Sequence, residues 1–69
     1  MSTLRINGEP KEIPDGLTVA QLLAHLGRDP EQPGVAVAVD ERVVRRAVWP
    51  ETPLADGAHV EIITAAQGG

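Results

Sequence analysis

The chain has 69 residues, of which 42% are hydrophobic, a net charge of −4, one aromatic residue and no cysteine. That length allows one domain burying about 60% of its unfolded surface, and the apolar share suits a globular fold. The acidic balance argues against a nucleic-acid face, one aromatic cannot build stacking platforms or a lined pocket, and no cysteine excludes disulfides and thiolate metal sites.

The opening Met1-Ser2-Thr3-Leu4-Arg5 carries no apolar stretch of a signal peptide, and no window could span a membrane, so a cytoplasmic protein is expected. Leu4 and Ile6 alternate with Thr3, Arg5 and Asn7, a half-buried strand behind a frayed start at Ser2. Asn7-Gly8 is a strong hairpin signal, read here as extended by Glu9-Pro10 before Lys11-Glu12-Ile13. Pro14-Asp15-Gly16 reads as a turn.

A helix follows. Thr18 and Gln21 have the spacing of a capping box, and Leu17 and Leu22 that of a hydrophobic staple. Val19, Leu22, Leu23 and Leu26 fall on one face, and Gly27 is placed to end the helix in a left-handed conformation. His25 lies off that face and reads as solvent-facing.

Arg28 to Gly34 contains Pro30 and Pro33 and is a loop. Val35-Ala36-Val37-Ala38-Val39 is a buried strand with valines on one face and alanines on the other, the alanines small enough to admit a close neighbour. Asp40-Glu41 turns into Arg42-Val43-Val44, and an irregular stretch with a helical turn runs past Trp49, which anchors it. Ala55 to Ala58 is a turn, and His59 to Ala65 a last strand centred on Val60, Ile62 and Ile63.

One helix must therefore cover one face of one mixed sheet of four to five strands, an α+β arrangement with the β-grasp (ubiquitin-like) layout. In that layout the first and last strands lie parallel in the middle of the sheet. Residues 1–66 form the domain and 67–69 a flexible tail ending in Gly68-Gly69.

No constellation supports catalysis: His25 and His59 stand far apart in sequence with nothing to complete a metal site, Asp40-Glu41 is an adjacent pair at a turn, and no phosphate loop is present. That leaves the terminal Gly68-Gly69 as the candidate reacting end, with an inert end as the alternative. Two residues without side chains can pass a narrow channel in whatever backbone angles it imposes. Beyond the tail, docking falls to the folded body, with Glu61 on the exposed sheet face and Arg45 and Arg46 as candidates.

The features with Leu17-Thr18-Val19 leading into Leu22-Leu23, then Val35-Ala36-Val37-Ala38-Val39, Val43-Val44, Trp49, Leu54-Ala55-Asp56-Gly57, Val60-Glu61-Ile62-Ile63 and Gly68-Gly69 resemble one family over nearly the whole chain. It is that of the ubiquitin-like sulfur carriers, most closely those of thiamine biosynthesis. Asp40, where that family usually has Asn, and Gln67, where it often has glycine or an apolar residue, depart from it. The resemblance implies a carrier and not an enzyme, binding no cofactor itself. A ThiF-like adenylyltransferase would use ATP to activate the Gly69 carboxylate, and a sulfur donor such as a cysteine desulfurase would convert it to a thiocarboxylate. A ThiG-like thiazole synthase would then take the sulfur, with Gln67, Gly68 and Gly69 entering each partner's active site. A carrier for molybdopterin, cysteine or a secondary metabolite, a protein modifier conjugated through Gly69, and an interaction module with an inert tail remain as alternatives.

Overall fold

The computed structural model describes residues 1–65. The tail residues Gln67, Gly68 and Gly69, and the domain boundary at residue 66, lie outside the described residues. The elements in chain order are β1 (Ser2–Ile6), β2 (Glu9–Ile13), α1 (Val19–His25), β3 (Val35–Val39), β4 (Arg42–Val44), a 3-10 helix (Arg46–Glu51) and β5 (His59–Thr64). They form a five-stranded sheet in the order β2-β1-β5-β3-β4, with β1 and β5 parallel at its centre. This is the β-grasp arrangement expected from the element order.

The β1–β2 hairpin closes on Asn7 and Gly8, both at positive φ (52° and 86°), the twist that a two-residue hairpin turn requires. Glu9 and Pro10 do not extend the turn as expected; they belong to β2 and pair with Ile6 and Arg5. Proline is tolerated because β2 is an edge strand, and alternate residues of such a strand point their nitrogen away from the ladder. Ser2 is likewise not frayed. It is buried at the head of β1 and donates its hydroxyl to Asp15, which also faces the terminal ammonium. The Ser2 hydrogen bond first, then the ammonium, hold the Asp15 carboxyl below its ordinary pKa.

Both ends of α1 follow from sequence chemistry. Thr18 accepts from the Gln21 amide while the Gln21 side chain accepts from the Thr18 amide, completing the capping box. At the other end Gly27 takes φ 81°, and the bonds Gly27 N–H to Ala24 and Arg28 N–H to Leu23 close a Schellman motif. Val19, Leu22 and Leu23 are buried against the sheet, and His25 is exposed.

The core gathers Leu4, Ile6, Ile13, Val37, Val60 and Ile62 from the sheet, the helix stripe, and Trp49 and Leu54 from the β4–β5 connection. Trp49 is 2% exposed and satisfies its indole N–H on the Val44 carbonyl at 2.8 Å, as a buried tryptophan must. Two expectations about packing are corrected. The alanines of β3 admit no close neighbour, since Ala36 is exposed and Ala38 half-buried on the uncovered face of the sheet. Ile63 is not part of the core; it is 57% exposed, because it alternates with Ile62 and so points the other way.

Candidate functional site

The sheet has one face covered by α1 and the 3-10 helix, and one face open. Register places Glu61 opposite Ala38, Ile63 opposite Ala36, and Val43 opposite Ala38 from the other side. All therefore share the open face, with Arg5 and His59 paired further along it. Val43 (78% exposed) and Ile63 (57%) flank the small alanines, so an apolar strip crosses β4, β3 and β5. At Ile63 the strip runs into an open depression lined also by Arg5, Gly8, Glu41, His59 and Glu61. A flat apolar strip with charges at its border is the composition of a protein-docking surface.

This strip reaches the outer end of β5, from which the chain continues toward Gly69. Glu61 is exposed on this open face, three residues before the end of β5 at Thr64. Arg45 is exposed between β4 and the 3-10 helix. Arg46 lies on the other side of the molecule, its guanidinium 4.5 Å above the Trp49 ring and donating to the carbonyls of Pro30 and Gln32. The three docking candidates therefore do not form one cluster.

The sequence alone does not mark Val43 and Ile63 as surface residues, because both sit in apolar pairs, Val43-Val44 and Ile62-Ile63. Strict alternation identifies the outward member of each pair once the inward one is fixed. Among the described residues no group of three His, Cys, Asp or Glu side chains is placed to hold a metal ion, and no helix is long and apolar enough to cross a membrane.

A β-grasp body that presents an open sheet face beside its last strand defines the class of ubiquitin-like carriers and adaptors. The ThiS family model matches residues 4–69. The chain is 38% identical over 64 residues to the sulfur carrier protein ThiS of Thermus thermophilus, covering 93% of this chain and 95% of that one. The crystal structure of the thiamine biosynthesis protein ThiS from Geobacter metallireducens superposes with a TM-score of 0.82 at 29% identity, over 97% of this chain and 99% of that chain. The solution structure of a thiamine biosynthesis protein from the same organism gives 0.79 at 30% identity, over 97% and 87%. The chain belongs to the ThiS family of sulfur carrier proteins.

Proposed function

We propose that this protein carries sulfur for thiazole formation in thiamine biosynthesis, as a thiocarboxylate on Gly69. The observation that carries the proposal is the match of the ThiS model through Gly69, together with a central β5 that leads into Gly68-Gly69. An α-carboxylate has a pKa near 3.3–3.7, so it is ionised and a poor electrophile at neutral pH. A ThiF-like adenylyltransferase supplies the activation: a carboxylate oxygen attacks the α-phosphorus of ATP, pyrophosphate leaves, and an acyl-adenylate forms.

The terminal sulfur of a donor persulfide, loaded by an enzyme such as a cysteine desulfurase, then attacks the acyl carbon. The bond to AMP breaks. A thiol next cleaves the S–S bond, leaving the thiocarboxylate on Gly69 and a disulfide on the donor side, and a ThiG-like thiazole synthase takes the sulfur. The protein contributes no catalytic group and binds no cofactor. Its part is to dock through the sheet face and present Gln67, Gly68 and Gly69 to each partner's active site. A cytoplasmic location belongs to this reading, where the partner has ATP to draw on.

The test is the intact mass of the protein after incubation with ATP, a cognate activating enzyme and a sulfur source. The expected gain is one sulfur in place of one oxygen, absent from a variant ending at Gly68. An unchanged mass, with an activating enzyme proven on its own carrier, would sink the proposal. An amide-linked adduct in its place would mark a protein modifier.

A further inference from the structure

The outer end of β5 is gripped by the loop between α1 and β3. The Ala65 N–H donates to the Gly34 carbonyl at 2.7 Å, and the Arg28 guanidinium donates to the Thr64 hydroxyl at 3.0 Å. The grip therefore falls on the last described residues before the tail.

That loop is fixed from both sides. The Schellman motif at Gly27 sets the backbone of Arg28 through its bond to Leu23. Asp29 then accepts from the Glu31 amide through its carboxylate and from the Gln32 amide through its carbonyl. Arg46 spans the turn this makes, giving one guanidinium nitrogen to Pro30 and the other to Gln32. Its guanidinium rests on the ring of Trp49, which is buried in the core and bonded to Val44. A continuous line of contacts thus runs from the core indole to the root of the tail.

From this geometry we infer that Arg28 and Arg46 are positioning residues for sulfur loading, holding the loop against Thr64 and Ala65 to set the direction in which the chain leaves β5. The inference rests on the tail chemistry proposed above. A tail drawn out in a partner's channel spans roughly 3.3–3.6 Å per residue, so a swing of about 10° at Ala65 moves the tip by about 2 Å. Displacements of that order at a reacting atom cost up to about 10²-fold in rate. Arg46 acts here through geometry and not through charge. Lysine keeps the charge but cannot fork onto two carbonyls.

The test compares full-length wild type with Arg46→Lys and Thr64→Val, the second removing the acceptor of Arg28 without a charge change in a residue type suited to strands. Sulfur loading is followed by steady-state kinetics, and amide exchange is read at Ala65 and in the interior of β3 and β5. Expected for both variants is a fall in kcat on the order of tenfold with KM within about twofold, while Ala65 loses protection and the strand interiors keep theirs. Either variant with intact interior protection and wild-type kcat overturns the inference, as does a rise in KM alone for Arg46→Lys, which would mark a docking contact. Loss of protection throughout the strands of both variants also overturns it, since the contacts would then hold the fold and not the tail. A wild type that gains no sulfur overturns the tail chemistry itself, and is told apart because Ala65 exchange still reports the clamp.

Discussion

Two residues at positive φ show how differently the same backbone angle can be used. Asn7 (φ 52°) does more than turn the hairpin: its side-chain amide donates to the Ile62 carbonyl at 3.2 Å, and its side-chain oxygen accepts from the Ile62 amide at 2.8 Å. One side chain thereby adds a rung between the end of β1 and the middle of β5. Glu41 (φ 70°) follows Asp40 (φ 49°) in a two-residue turn without glycine, and of that pair only Asp40 bonds the neighbouring strand, through the His59 amide. A non-glycine residue in this region costs about 1–2 kcal/mol, less for Asn and Asp, whereas glycine adds roughly 0.5–1 kcal/mol of unfolded-state entropy. Glu41→Gly is therefore expected to stabilise by about 0.5–1 kcal/mol. Asn7→Gly, in a turn equally suited to glycine, is expected to destabilise by about 2 kcal/mol, having lost two hydrogen bonds to half-buried backbone. Urea unfolding of both variants checks the pair; equal signs would show that the turn angle, and not the Asn7 side chain, sets the energy.

Among the elements, those specified by local chemistry were legible and those specified by neighbours were not. The helix carries its own signals at Thr18, Gln21 and Gly27, which act within a few residues, and its ends fall where those residues put them. The central parallel pairing of β1 with β5 followed from matching the element order to the β-grasp layout. Pro10 misled because its effect depends on where its strand lies, and an edge position is a tertiary fact. Ile63 misled because two adjacent isoleucines give no periodicity of their own. The open sheet face was hence only partly legible: Glu61 was visible as an outward residue, while the apolar strip around it emerged from register across β3, β4 and β5. The loop clamp was invisible, since nothing in the sequence joins Arg28 to Thr64 or Arg46 to Pro30 across 36 and 16 residues.

At the scale of the molecule, stability and chemistry occupy different parts of the chain. Among the described residues the buried core runs from Leu4 to Ile62, and the proposed reaction takes place at Gly69. A domain of this size holds stability near the low end of roughly 5–15 kcal/mol, so it has little to spare for strain at a site. Placing the reacting group beyond the last strand avoids that conflict. On the proposed function binding falls to the sheet face, and a body without its terminal glycines should still dock. The chain ending at Gln67 is accordingly expected to melt within about 2 °C of wild type, because a shift that small corresponds to well under 1 kcal/mol in a domain of this length. It should also inhibit sulfur loading of the wild type competitively, with an inhibition constant close to the wild-type KM. Kinetics with both proteins present measures this directly. A folded truncated chain that does not inhibit would place the binding energy in the tail, and the apolar strip of Val43 and Ile63 would then need another partner.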